Sequence, residues 1–416
     1  MSGGDSAPWP NVRLKWLSRI FAGGTPDSAD PSLWLDGVAT DGVPWVAIGD
    51  MSRRDVVMST AKSVTVPAIE SKNLPVGGPG TVLLAMYASV GEVSTLSVRA
   101  TWNQALVGFA PDSGRLEGRF LAHALRAARP TLLSEVRSNT QDNLNASQVG
   151  ATKIPIPPMA EQRAIADFLD EQTSRIDTLI GKQTQLIDTL RERRDAVITA
   201  ATNPPDAKRV PLKRITRPIT DGAHISPDTI NGKHDFVSTR DIKNGSIDFD
   251  GSLKTSDESF AYMVQTGCRP SRGDILFAKD GTVGTTAVVL SDHPFVVASS
   301  LVIISVRPSR ASSRFVEYAL RAAPTRHQAT AFMRGAGLPR ISVANVGRLE
   351  ISLPPLGAQE KIAAYLDQQT TRIDALIAKT EEHIGLARER RAALITAAVT
   401  GRIDVRTAWR AATVGA

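Results

Sequence analysis

The residues best able to do chemistry in this chain lie in a few short runs. Asn203-Pro204-Pro205-Asp206 matches three positions of the Asn-Pro-Pro-aromatic motif of adenine methyltransferases. The fourth position, where an aromatic ring would stack on an extruded base, holds an aspartate, and base extrusion relies on such stacking. No glycine-rich cofactor loop follows a strand at the expected place, so the run reads as a helix stop. Asp55 with Glu70-Ser71-Lys72 has the loose spacing of a metal-dependent nuclease core, a pattern that arises often by chance. Asp280-Gly281-Thr282-Val283-Gly284-Thr285-Thr286 lacks the Gly-Lys-Ser/Thr of a phosphate loop and reads as a hairpin turn. Gly23-Gly24-Thr25-Pro26 reads as a tight turn. The six histidines include no His-Glu-x-x-His pair and no i, i+4 pair, and the lone Cys268 excludes an internal disulfide and a thiolate zinc cluster. Neither catalysis nor a metal site is expected of this chain.

Binding is the better expectation. The 49 Lys and Arg outnumber the 42 Asp and Glu, giving a formal charge of +7. That surplus suits a polyanion, because cations that neutralise phosphates release condensed counterions. Charge alone does not prove it. The basic side chains nominated for DNA are Arg53, Arg54, Lys72 and Arg137 in the first part of the chain, and Lys233, Arg240, Lys243 and Lys279 in the second. Arginine commonly reads guanine edges, whereas most lysine contacts position the backbone. A second basic set, Arg191, Arg193 and Arg194, recurs as Arg388, Arg390 and Arg391. It reads either as solvated helix surface, locally paired with Glu192 and Glu389, or as a contact to a partner subunit or to phosphates.

These side chains need elements to hold them, and the strongest organising signal is a repeat. Residues 154–201 recur at 351–398 without a gap, with roughly half of the positions identical. Pro157-Pro158 matches Pro354-Pro355, Leu169-Asp170 matches Leu366-Asp367, and Arg175-Ile176-Asp177 matches Arg372-Ile373-Asp374. After each proline pair the segment is rich in Ala, Leu, Ile, Glu, Gln and Arg, all helix formers. Apolar residues recur at three- and four-residue steps: Ile165, Leu169, Ile176, Leu179, Ile187, Leu190, Val197 and Ala201 in one copy. The other copy has Ile362, Leu366, Ile373, Leu376, Ile384, Leu394 and Ala398. That stripe suits a helix lying along another helix. About 42 residues at 1.5 Å each make a rod of roughly 60–65 Å. Gln172, Gln183, Gln369 and Thr380 interrupt the stripe, either fixing register or facing solvent.

The chain is long enough for two to four units. The segments 1–153 and 206–350 are rich in Gly, Pro, Val, Thr and Asp, with β-type runs at Thr81 to Tyr87, Asp274 to Lys279 and Ser300 to Arg307. Each is expected to be a mostly β domain with a few helices, such as Arg119 to Ala128 and Ser313 to Ala322. They resemble each other only faintly, in Thr140 to Leu144 and Gly337 to Val343. The start carries no apolar stretch of an export signal, and the longest apolar runs are strand-sized, so a cytoplasmic location is expected.

A duplicated helix offers the same surface twice, while unlike heads supply unlike contacts. Proteins that space two readers along DNA use that logic. Several motifs then occur in a telling order. The first head carries Gly23-Gly24-Thr25-Pro26, Val43-Pro44-Trp45, Gly49-Asp50 and Ala100-Thr101-Trp102-Asn103-Gln104. The second carries Asp221-Gly222-Ala223-His224, Ser238-Thr239-Arg240-Asp241-Ile242-Lys243-Asn244-Gly245 and Gly273-Asp274-Ile275-Leu276-Phe277. Both helices open on Pro-Pro-x-x-x-Gln, and the second closes on Leu394-Ile395-Thr396-Ala397-Ala398-Val399-Thr400-Gly401-Arg402-Ile403-Asp404. In this order, over nearly the whole chain, they resemble the specificity (S) subunits of type I restriction-modification systems.

The resemblance implies an α+β chain: two mostly β target-recognition domains joined by two long antiparallel, coiled-coil-like helical regions in a pseudo-twofold arrangement. The implied divisions are a first recognition domain at 1–153, a central helical region at 154–205, a second recognition domain at 206–350, a distal helical region at 351–405 and a tail at 406–416. It also implies no catalysis by this chain. The partners would be double-stranded DNA with a split, asymmetric site, two modification (methyltransferase) subunits and, for cleavage, restriction (motor nuclease) subunits. S-adenosylmethionine, ATP and Mg2+ would belong to those partners. A helical adaptor with two ligand-binding β domains, and an orphan specificity subunit, stand as the other readings.

Overall fold

The computed structural model of the chain describes residues 9–37, 41–52, 55–137, 143–225, 227–229, 232–243, 245–334 and 339–408. Both repeats form one long helix of 44 residues: a central helix, Met159–Thr202, and a distal helix, Leu356–Val399. Each begins just after its proline pair, where a missing N–H costs little. The central helix stops because Thr202 and Asn203 turn back on it: Thr202 Oγ1 donates to the Ile198 carbonyl at 2.7 Å and Asn203 Nδ2 to the Thr199 carbonyl at 2.9 Å. Pro204-Pro205 then cannot continue it. Asn203 is thus a capping residue, and the helix-stop reading of this run holds. The distal helix ends on Gly401, whose φ of 72° lets the Arg402 N–H reach the Ala397 carbonyl at 2.9 Å.

The chain divides into two compact units, residues 1–182 with 383–416, and residues 183–382. Both boundaries fall inside the long helices, so each unit combines one head with parts of both. In the first unit Ile165 and Leu169 share a core with Ile395, Ala398 and Val399. The pairs Asp177–Arg391 and Glu161–Arg406 show the two helical segments running antiparallel there. In the second unit Ile198 and Leu366 share a core, and Arg194–Asp374 and Arg191–Glu381 give the same antiparallel sense. The apolar stripe is not wholly covered. Leu179 and Leu376, at one repeat position, are each 48% exposed. Of the polar interruptions, Thr380 is buried and donates to its own helix at the Leu376 carbonyl, 2.7 Å away, while Gln172, Gln183 and Gln369 are half-buried.

The heads differ in sequence yet share one topology. In the first, a sheet runs Ser18–Ala22, Leu106–Pro111, Val82–Ala85, Val93–Leu96 and then Val56–Val57. In the second, Thr220–Asp221, Leu301–Ile304, Ile275–Ala278 and Thr286–Val288 follow the same order without the last strand. A second sheet also recurs. Val43–Val46 lies antiparallel to Lys62–Val64 and parallel to Thr101–Trp102; His234–Val237 lies antiparallel to Leu253–Thr255 and parallel to Phe295–Val297. The Asp280-Gly281 run sits in the connection between the antiparallel strands Ile275–Ala278 and Thr286–Val288, as a hairpin should.

At each neck the head's first strand pairs antiparallel with its last: Asn11–Arg13 with Lys153–Pro155, and Arg209–Pro211 with Glu350–Ser352. The helices Gly118–Arg137 in the first head and Ser313–Arg321 in the second pack between the sheet and the long helices. Phe120, Leu121 and Leu125 of the first and Phe315, Val316 and Leu320 of the second are buried. Each such side chain contributes about 1.5–3 kcal/mol by leaving water.

The head motifs converge on scaffolding. Trp102 is buried, donates from Nε1 to the Phe21 carbonyl at 3.3 Å, and lies on Gly108, where a Cβ would come within 2.2 Å of the ring. Trp45 Nε1 donates to the Gly24 carbonyl at 3.0 Å. Asp50 accepts the Ala47 N–H at 2.9 Å, and Asp241 accepts the Ser238 N–H at 2.7 Å, so one turn is built twice at the end of matching strands.

Candidate nucleic-acid interface

Each head is fastened to its long helix by two anchors that recur at the same repeat positions. The first is the glutamine of Pro-Pro-x-x-x-Gln. Gln162, fully buried, accepts the Glu117 N–H at 2.9 Å and donates to the carbonyls of Pro157 and Arg115 at 2.9 and 3.0 Å. Gln359 accepts the Ser312 N–H at 2.9 Å and donates to the Pro354 carbonyl at 2.8 Å. A side-chain amide carries a carbonyl acceptor and an NH2 donor on one group, so it serves a bare N–H and a bare carbonyl at once.

The second anchor is an aspartate. Asp170 faces Arg119 Nη1 at 3.0 Å and His123 Nε2 at 2.8 Å; Asp367 faces Arg314 Nε at 2.7 Å and accepts from the Tyr318 hydroxyl at 2.7 Å. Burial acts to raise the Asp170 pKa, but the His123 hydrogen bond and the Arg119 charge hold it below the usual carboxylate range. Tyr318 is pushed up to about 12, chiefly by burial. Beside it Glu317 is fully buried, with Thr286 Oγ1 at 2.9 Å, Arg321 Nη1 at 3.3 Å and Arg314 Nη1 at 3.5 Å. Burial pushes its carboxyl up against the pull of Arg321 and Arg314.

His123 and Tyr318 hold matching places, and of the two only histidine has an ordinary pKa near neutrality. Burial depresses the His123 pKa below its ordinary 6.5. Below that value the unfolded chain takes a proton that the buried ring refuses, so the first unit loses stability as pH falls through 6.5 toward the depressed folded value; above 6.5 there is no penalty. His123→Phe is therefore expected to flatten the acid side of the melting-temperature profile between about pH 7.5 and 5.5. Unchanged slopes in wild type and variant would show that His123 is not the group responsible.

The nominated DNA-contact residues fare unevenly. Arg53 and Arg54 lie outside the described residues, and Arg137 ends its helix with a side chain that is likewise undescribed. Lys72 is exposed at the end of the helix Val66–Lys72. Lys233 is exposed 3.2 Å from Asp257, which also faces His234 at 2.7 Å. Lys243 is exposed 2.7 Å from Asp248, and that pairing raises the lysine pKa and lowers the aspartate's. Arg240 is exposed in the turn after His234–Val237 and has no ion-pair partner among the described residues. Lys279 corrects the expectation of exposure. It is buried, with its ammonium 3.1 Å from Asp280, which also holds Arg340 at 2.6 Å. A lysine next to a hairpin turn looks exposed in sequence; here the segment carrying Arg340 covers it. Among the described residues, Lys72, Lys233, Lys243 and Lys279 make no ion pair to a shared acid, and the partners of the last three, Asp257, Asp248 and Asp280, are different.

The duplicated arginine run also splits. Arg194 and Arg391 are bound across to the other repeat, at Asp374 (2.6 Å) and Asp177 (3.0 Å). Arg193 and Arg390 are exposed, with no ion-pair partner among the described residues. Other ion pairs of the run reach Asp188, Glu381 and Asp55. Sequence reasoning missed the anchors Arg119, His123, Arg314 and Tyr318. Their only signal was the spacing shared by the two heads, Arg119 to His123 and Arg314 to Tyr318, set against Asp170 and Asp367.

Two β heads of one topology, each seated on its own copy of a helical repeat through the same amide and the same carboxylate, define a duplicated two-headed recognition protein. A family model described as type I restriction modification DNA specificity domain matches residues 7–188 and 220–385, and the chain belongs to that family. It is 22% identical over 405 residues to the type I restriction enzyme EcoBI specificity subunit of Escherichia coli, covering 89% of this chain and 82% of that one. It is 24% identical over 279 residues to a putative type I restriction enzyme specificity subunit of Haemophilus influenzae, covering 63% of this chain and 66% of that one. A chain in a structure concerned with complex assembly and conformational transition of a type I R-M system superposes with a TM-score of 0.71 at 16% identity, over 96% of this chain and 99% of that one, which shows the shared fold. This chain is therefore a specificity subunit, whose work is to recognise DNA sequence. None of the described helices is long and apolar enough to cross a membrane.

Proposed function

We propose that this chain is the non-catalytic, DNA-reading subunit of a cytoplasmic type I restriction-modification complex, with each head reading one half of a split, asymmetric site. The single observation that supports this most is that two heads of divergent sequence keep one topology and one pair of anchors. Selection on the anchors with freedom elsewhere is what two readers on a common mount require. The helical segments set the unread spacer and dock two methyltransferase subunits. Supporting that role, the half-exposed Leu179 and Leu376 and the exposed Arg193 and Arg390 each offer one surface twice. Restriction subunits would join for cleavage, and S-adenosylmethionine, ATP and Mg2+ would be held by the partners.

The test is co-expression with the cognate methyltransferase subunit in a methylation-free host, followed by single-molecule mapping of methyladenine. Methylation of both strands of one split, asymmetric motif, absent when this chain is omitted, is expected. A stable complex that adds no methylation would favour an orphan subunit or an adaptor. DNA affinity that falls steeply with salt would then distinguish the orphan subunit from the adaptor.

A further inference from the structure

The two copies of the arginine run are neutralised differently. In the second unit Arg191 lies 3.4 Å from both Asp188 and Glu381, and the neighbouring Asp195 lies 2.8 Å from Arg326. At the repeat positions of Asp188, Asp195 and Glu381 the other copy has Gly385, Ala392 and Thr184. The first unit therefore keeps the arginines without those acids. There Arg391 and Arg126 share Asp55, at 2.6 and 2.9 Å, which leaves Arg388 and Arg129 with no carboxylate among the described residues.

All four arginines line one open cleft of about 550 Å³ beside the helix Gly118–Arg137, a volume within the range of small-ligand sites. Arg129 is held in place: its Nε donates to the Val90 carbonyl at 3.3 Å, and its stem lies on Gly91, where a Cβ would come within 2.6 Å of its Cγ. Besides Asp55, the lining has one acid, Glu92, whose Oε2 is buried without a hydrogen-bond partner. Two uncompensated guanidiniums and one uncompensated carboxylate oxygen ask for a ligand with an anion at one end and a donor at the other.

We propose that this cleft binds a phosphate-bearing nucleotide unit, with Arg129 and Arg388 taking phosphate oxygens and Glu92 accepting an N–H or O–H of the same unit. Guanidinium forks suit phosphate oxygens in geometry and charge. The unit comes from the DNA backbone, which rests on the recognition reading above, or from a free nucleotide.

The full chain is titrated into a fluorescent DNA duplex across a salt series, and separately with deoxyadenosine monophosphate by calorimetry. The variants are R129Q with R388Q, the acid-restoring pair G385D with A392D, and R191Q as a control in the second unit. Backbone binding predicts that both pairs make the slope of log affinity against log salt shallower by about 1, while R191Q leaves it unchanged. If deoxyadenosine monophosphate instead binds the wild type one-to-one and neither pair, with the DNA slope unmoved, the cleft serves a free nucleotide. Should both pairs match the wild type in both titrations, with melting curves unchanged, the proposal is overturned. Failure of the recognition reading is a separate result, the absence of any sequence preference in the wild type under competition.

Discussion

Glu317→Ala is expected to cost residues 183–382 about 3–5 kcal/mol, the range for removing one partner of a buried charge pair. In a unit of that size this lowers the melting temperature by about 10 °C. Glu317 is fully buried beneath Arg314 and Arg321, and Arg321 is itself only 14% exposed. The alanine leaves Arg321 charged with no carboxylate beside it and removes the acceptor of Thr286. Glu317→Gln keeps an acceptor for Thr286 but not the charge, so about half the loss should return. Calorimetric melting of the three chains decides it. A Glu317→Ala loss below about 1 kcal/mol would mean that water or the Tyr318 ring, 5.6 Å from the Arg321 guanidinium, already satisfies that cation.

The second large effect lies at the necks. Gln162→Leu preserves bulk but strips partners from one N–H and two carbonyls, and a buried group left unsatisfied costs about 1–3 kcal/mol. The loss expected is about 3–4 kcal/mol for Gln162→Leu and about 2–3 kcal/mol for Gln359→Leu, which strips one N–H and one carbonyl. The ordering is the sharper part. Denaturant midpoints that ranked the two the other way, at equal m-values, would show that the extra bond from Gln162 to the Arg115 carbonyl adds nothing.

The repeat made the helices legible, since two aligned copies reinforce most of the apolar stripe, while each helix carries its own stop, Asn203-Pro204-Pro205 in one and Gly401 in the other. Leu179 and Leu376 show the limit of that reading. Periodicity says which residues share a face, not whether anything covers it. The role of Gln162 and Gln359 was visible only as a motif, because what they bond is backbone, and backbone leaves no trace in composition. The strand order common to the two heads was hidden for a related reason. Strand order depends on which edges pair, and Val43–Val46 and His234–Val237 share a place without sharing a sequence. Lys279 and Arg194 failed as free cations because their acids, Asp280 next door and Asp374 far along the chain, take them by tertiary packing. Charge counts do not distinguish a spent cation from a free one.

The pairing of each head's first strand with its last has a consequence for inheritance. A loop closed at its own neck hands the long helix two chain ends a fixed distance apart, however many residues lie between them. A crossover that exchanges everything between Arg13 and Lys153, or between Pro211 and Glu350, would import a different reader and leave the mount undisturbed, provided the incoming piece brings its own anchor helix. The joints where the chain is mechanically simplest are thus also where it is cheapest to recombine. New specificities would then arise by exchanging whole readers rather than by accumulating substitutions on one surface.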